Sequence, residues 1–128
     1  LYTMINFEMM GVPFLDRDYQ VFATGHDLSN MAKVLNKYAG NKLVGRSEEA
    51  AKFNLFKRSD NYAFYEQFNI AAQTISSCDL TNFDFYHHVD DEFDKLDYIH
   101  MASVINKLLP TLERMINSEV QEIQINNE

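Results

Sequence analysis

Apolar residues fall in short blocks separated by polar breaks, and the blocks differ in period. Tyr2 to Met10 is rich in β-formers and almost continuously apolar, which predicts a strand covered on both faces, as in an α/β sheet. Gly11, Pro13 and Asp16-Arg17-Asp18 break it. Gln20 to Thr24 predicts a second short strand, stopped by Gly25. A helix is then expected to start near Asp27 or Ser29, both good N-caps. Met31, Val34, Leu35 and Tyr38 form its stripe, and Gly40 is its natural stop.

Asn41 to Arg46 predicts a loop with a short strand, Glu48 to Lys52 is polar, and Phe53 to Phe56 predicts a further strand. Ser59 or Asp60 can cap a short helix from Asn61 to Phe68, with Phe64, Tyr65 and Phe68 at helical spacing. Ala71 to Ser76 is β-like. Cys78 to Asp97 is long, polar and aromatic without a period, the kind of loop that carries function or stays unstructured. Asp97 caps the longest helix. Ile99, Ala102, Ile105, Leu109, Leu112 and Ile116 form its apolar stripe, and Pro110 is expected to kink or restart it. Val120 to Glu128 reads as a polar tail with an edge strand. Strands alternating with helices predict one α/β domain over residues 1–128. Its expected form is a three-layer α/β/α piece with about four mostly parallel strands.

Composition narrows the functions. The chain has 128 residues, a net charge of −8 and a sequence pI near 4.9. Such a balance argues against nucleic acid or an anionic membrane as the main partner. An apolar share of 46% is too high for disorder, and no apolar run approaches the ~20 residues of a membrane span. The single cysteine, Cys78, excludes an internal disulfide and any multi-cysteine zinc site. The chain opens on Leu1 with no basic run or cleavage site, so it reads as a processed or excised piece, and no compartment is assigned.

Three clusters could carry chemistry. In Tyr86-His87-His88-Val89-Asp90-Asp91 two histidines stand in an acidic loop ahead of a helix. One imidazole can bind a metal while neighbouring carboxylates orient its ring, or the segment is a solvated acidic loop. Adjacent histidines rarely share one ion, because successive side chains diverge. Glu8, near the end of the first strand, is costly there unless paired, protonated or bound to a cation. It is either a site residue at the C-terminal end of a parallel strand or an edge glutamate facing water. Ser59-Asp60-Asn61 is an ordinary helix cap or part of a site. No phosphate loop or G-x-S-x-G nucleophile occurs. The methionines read as core fillers, His26 as a cap residue and His100 as a surface residue.

Together these clusters resemble the C-terminal half of the zinc-dependent aminopeptidases of bacterial leucyl aminopeptidase type. That family also includes relatives of glutamate carboxypeptidase and glutaminyl cyclase. Its I-N-L-D-M-x-G strand reads here Ile5-Asn6-Phe7-Glu8-Met9-Met10-Gly11. Its S-D-H-x-x-F reads Ser59-Asp60-Asn61-Tyr62-Ala63-Phe64. Its Y-H-T-x-D-D-x-x-D-K-L-D runs from Tyr86-His87-His88 to Asp94-Lys95-Leu96-Asp97. The resemblance covers Ile5 to about Met115.

The resemblance implies two zinc ions in the complete enzyme, with Glu8 and His87 as ligands from this chain. It makes Asp60, Asp90 and Asp91 supporting residues, and gives His88 the place of the family's threonine. Glu replaces the family's Asp at position 8, and Asn replaces its His at position 61. The family's H-x-D motif, bridging Asp and Glu-Glu pair, which come before the Glu8 strand, are not found here. Glu48-Glu49 comes after it and is read as a solvated helix start. The resemblance therefore implies the C-terminal part of a zinc exopeptidase acting on a peptide substrate. This part is expected to contain no catalytic residue, to be inactive alone and to bind zinc weakly or not at all. Its expected partners are a missing N-terminal half and further copies of itself, through an unpaired edge at Ala71 to Ser76. The alternatives are a non-catalytic interaction domain of the same fold and a single-zinc cyclase.

Overall fold

A computed structural model describes residues 1–127. Four short strands form one open sheet: β1 (Met4–Phe7), β2 (Val21–Ala23), β3 (Val44–Gly45) and β4 (Ala72–Ser76). The spatial order is β1-β4-β2-β3. β1 runs parallel to β4 and β2 parallel to β3, while β2 and β4 are antiparallel. Four helices complete the fold: α1 (Met31–Ala39), α2 (Glu48–Lys52), α3 (Asn61–Phe68) and α4 (Tyr98–Ile116). This is the expected α/β architecture with a mostly parallel sheet.

The core explains the layering. Val21, Ala23, Val44 and Ile75 of the sheet pack with Met31, Val34 and Leu35 of α1 and Val104 and Leu108 of α4. Tyr19 and Phe22 pack with Ala50 and Leu55 as a second cluster. β4 is buried along its whole length although it carries Gln73, Thr74 and Ser76. Each is satisfied: Gln73 Nε2 donates to the Thr24 and Gly25 carbonyls, Thr74 Oγ1 donates to Asn61, and Ser76 Oγ donates to the Cys78 carbonyl. Buried polar groups persist only when so paired.

Local signals place several elements. Gly40 stops α1 in the left-handed conformation, at φ +76°. Ser47 Oγ accepts from Ala50 N and starts α2, and an Asp97 carboxylate oxygen accepts from His100 N and starts α4.

Five expectations need correction. Ala72–Ser76 is an interior strand and not an edge; the edges are β1 and β3. Phe53 to Phe56 is not a strand. Asn54 turns left-handed after α2, and a 3₁₀ turn, Leu55–Arg58, follows it, burying Leu55 and Phe56 side by side. The helix expected from Asp27 or Ser29 starts at Met31, behind a 3₁₀ turn, His26–Leu28. The tail forms no strand among the described residues and makes only a bridge from Ile125 to Ser29, while Glu128 lies outside them. α4 does not restart at Pro110 but continues through it. The carbonyl that this proline leaves without a donor belongs to Asn106, which is exposed and can bond to water.

α4 also turns a different face inward. Ile99, Ile105, Leu109 and Ile116 are exposed, Ile99 by 86% and Ile116 by 73%. The buried residues are Val104, Leu108 and Thr111. The helix carries two adjoining apolar stripes about 100° apart, and the sheet and α1 cover only one.

Candidate functional site

The C-terminal ends of β1 and β4 lie side by side. Glu8 N donates to the Ile75 carbonyl, and Ser77 N and Oγ both donate to the Met9 carbonyl. Glu8, half-buried, begins the segment that leaves β1, and Met9 beside it is left-handed at φ +50°. The Glu8 carboxylate is held by two donors. Ser59 Oγ donates to Oε1 at 2.5 Å and Asn6 Nδ2 to Oε2 at 3.0 Å. Asn6 Nδ2 also donates to Thr74 Oγ1, which donates to Asn61 Oδ1 at 2.8 Å. Asn61 is fully buried and donates to the Phe56 and Ala72 carbonyls. Asn61, where the resembled family has His, thus reaches Glu8 through Thr74 and Asn6.

The long loop is anchored at both ends. At its start Asp79, fully buried, accepts from Thr81 N, Thr81 Oγ1 and Ser47 Oγ, with Arg17 Nη2 at 3.5 Å. The next residue, Leu80, is left-handed at φ +74°. At its end Asp97 N donates to the Gly11 carbonyl at 2.8 Å. A Cβ on Gly11 would meet Met101 at 3.0 Å and Leu96 at 3.1 Å, so the loop end and α4 lie close on β1's continuation.

His87 lies on the exposed crest of this loop, left-handed at φ +55°. Its ring stacks on Tyr86, with centroids 3.9 Å apart and 17° between planes. Arg58 Nη2 donates to the Tyr86 phenol oxygen at 3.4 Å. Arg58 and Ser59 are consecutive, so one dipeptide touches Glu8 on one side and the neighbour of His87 on the other. Met9 and Tyr86, the neighbours of Glu8 and His87, line the same cavity of about 270 Å³, with Met10, Phe83, Leu96 and Met101.

Asp60, Asp90 and Asp91 are exposed. Among the described residues none of them hydrogen-bonds Glu8 or His87. Asp90 lies 3.3 Å from His88 Nδ1, and Asp91 borders the cavity shared by Met9 and Tyr86. Asp60 caps α3 by position without a side-chain bond. Ser59 and Asn6 bond the Glu8 carboxylate itself, and Arg58 bonds the Tyr86 ring on which His87 stacks. Ser59 stands in the Ser59-Asp60-Asn61 triplet, a cap or part of a site by sequence, and Asn6 stands in the first motif without an assigned role; nothing local marks Arg58.

Cys78, buried at the cavity wall, has its thiol pKa pushed up by burial, so it makes a poor nucleophile. His100 is partly buried and not a surface residue as expected, and its Nε2 finds no partner among the described residues. A larger cavity of about 480 Å³, walled by Arg46, Lys57, Tyr62 and Tyr65, contains none of the candidate residues.

A carboxylate and an imidazole are both zinc donors, so Glu8 and His87 suit such an ion in kind. In number they fall short, because catalytic zinc takes three protein ligands and structural zinc four. Among the described residues no three His, Cys, Asp or Glu side chains group to hold a metal. Among the described residues no helix is long and apolar enough to cross a membrane.

The sequence model of peptidase family M28 matches residues 1–111. No curated protein and no solved structure matches the chain.

Proposed function

The chain belongs to peptidase family M28, a family of metallopeptidases, and from that premise we propose that it is the part of a zinc aminopeptidase that supplies Glu8 and His87 as metal ligands. The observation that carries this reading is the Arg58-Ser59 link. Ser59 holds the Glu8 carboxylate, and Arg58 holds the ring on which His87 stacks.

Each residue of the chain then has a task. Ser59 and Asn6 orient the Glu8 carboxylate, leaving lone pairs on both oxygens for a cation. The cavity beside Met9 and Tyr86 accepts an apolar side chain of the peptide. The chemistry a metal supplies when bound there is activation of water and polarisation of the scissile carbonyl. No general base is assigned on this chain, so it does not cleave peptides alone.

The remaining donors belong to polypeptide that pairs with the outer edge of β1. Leu1 to Phe7 contains neither charge nor proline, the devices that usually protect an edge. A strand laid parallel on β1 ends beside Glu8, where further ligands are needed. The exposed stripe of α4 flanks the same edge, with a cavity of about 430 Å³ between Ile5, Phe7, Leu112 and Ile116. Self-association through this edge is the alternative use of the same surface.

The test is hydrolysis of an aminoacyl amide by the chain assembled with polypeptide that supplies the missing donors. Chelation should abolish it, and Glu8→Ala or His87→Ala should lower kcat/KM by roughly a hundredfold or more. Activity that survives both substitutions would overturn the assignment.

A further inference from the structure

We propose that Tyr86, capped by Arg58, is a positioning residue that fixes the His87 imidazole in one orientation before any ligand arrives. The proposal rests on the reading above only in giving His87 a purpose. Its geometry stands alone.

Side chains of successive residues normally diverge, in helix and strand alike. Tyr86 and His87 do not: their rings lie nearly parallel at 3.9 Å. The left-handed backbone at His87, φ +55°, accompanies this fold-back. A non-glycine residue pays for that conformation in strain, which persists only where surrounding contacts hold it. One such contact is the stack. Arg58 supplies a second, with its guanidinium 5.8 Å from the Tyr86 ring centroid and Nη2 on the phenol oxygen. Nη1 of the same fork donates to the Phe53 carbonyl at 3.4 Å, at the C-terminal end of α2. A half-buried loop ring is thereby tied to a helix end.

The residue type matters. A planar guanidinium can lie by a ring and donate to two acceptors at once, whereas an ammonium is a point charge on a flexible stem. An unrestrained histidine on an exposed loop would keep its rotamer freedom and lose it only on binding. The Arg58–Tyr86–His87 stack removes that freedom in advance. His88 is differently placed: its ring meets Phe85 edge-on at 6.2 Å and its Nδ1 faces Asp90.

NMR of the histidine ring protons in the whole chain tests this, with no metal and no activity assay. In the parent the His87 ring protons should lie upfield of random coil, displaced by the Tyr86 ring current. Tyr86→Leu should return them to random coil, while Tyr86→Phe should keep most of the displacement. Arg58→Gln should shrink and broaden it, and Arg58→Lys should restore it only in part. Amide exchange across Ala72–Ser76 serves as the fold control and should stay slow in every variant. Random-coil His87 shifts in the parent, or shifts insensitive to Tyr86→Leu, would overturn the proposal. Shifts insensitive to Arg58→Gln would remove Arg58 from it. If the displacement behaves as expected but millimolar zinc leaves the assembled protein's His87 signals unmoved, the stack stands and the ligand assignment falls.

Discussion

Ser59 Oγ donates to Glu8 Oε1 at 2.5 Å, across a sequence separation of 51 residues. The residue before the helix cap, and not the cap itself, therefore holds the carboxylate. Ser59→Ala leaves one oxygen of a half-buried carboxylate without its donor, while Asn6 still serves the other. Hydrogen bonds to charged groups contribute about 1.5–3 kcal/mol, and partial exposure puts this one near the lower end. Urea unfolding of Ser59→Ala should show a loss of about 1–2 kcal/mol at unchanged m-value. An unmoved midpoint would mean that water replaces the hydroxyl at no cost.

Asn61 carries more. It is fully buried, donates to two carbonyls and accepts from Thr74. Asn61→Leu preserves approximate volume but strands both carbonyls and the Thr74 hydroxyl. The expected cost is about 3 kcal/mol or more, read by the same denaturation. A cost below about 1 kcal/mol would show that the Asn6–Thr74–Asn61 chain is not needed for the fold.

α4 separates two kinds of apolar position. Leu108→Ala should cost about 2–4 kcal/mol, because Leu108 is only 4% exposed. Ile116→Ser, on the exposed stripe, should change the stability of the chain by no more than about 0.5 kcal/mol. If Ile116→Ser proves as costly as Leu108→Ala, the outward stripe is already covered in solution, and sedimentation of both variants would show by what.

Acid sensitivity should include a histidine contribution. Burial lowers the pKa of His100, Lys107 lowers it further, and Asp97 works against both. A lowered native pKa means that the unfolded chain takes up the proton first as pH falls below its ordinary value near 6.5. Stability therefore rises with pH between the lowered native value and about 6.5, and drops on acidification through that window. Asp18, Asp27 and Glu122 have carboxyls lowered by their hydrogen bonds to Lys42, His26 and Lys37. Their contributions vanish only at still lower pH, below about 4.5. His100→Gln should flatten the stability profile just below about pH 6.5 while leaving the decline at lower pH in place. A parallel profile for parent and variant would refute the His100 contribution.

The readable elements were those with strong local chemistry. Asn61–Phe68 and Ala72–Ser76 emerge where their patterns place them, and Asp97 and Gly40 act as the cap and stop that their residue types suggest. The misread elements lack such chemistry. Phe53 to Phe56 is apolar enough for a strand, yet left-handed Asn54 turns the chain there, and the two apolar residues after it are buried within one 3₁₀ turn. Ser29 resembles a helix N-cap and its Oγ does accept from Met31 N, but the same hydroxyl also donates to Gln73 on β4, two residues before α1 begins.

What the residues determine without help is the α/β class, the kinship carried by the Glu8, Ser59 and His87 motifs, and the apolar breadth of α4. These follow from periodicity, capping and the identity of side chains within a few residues of one another. Which side of α4 faces inward is a different kind of question. Both stripes are apolar, and only packing against the sheet and α1 picks Val104 and Leu108 over Ile105 and Leu109. Strand order is likewise tertiary. β4 lies between β1 and β2 because Gln73, Thr74 and Ser76 find partners on several surrounding segments, which an edge strand could not provide. The pairing of Ser59 with Glu8 and of Arg58 with Tyr86 is decided the same way, since those contacts exist only once chain segments 28 to 51 residues apart are brought together.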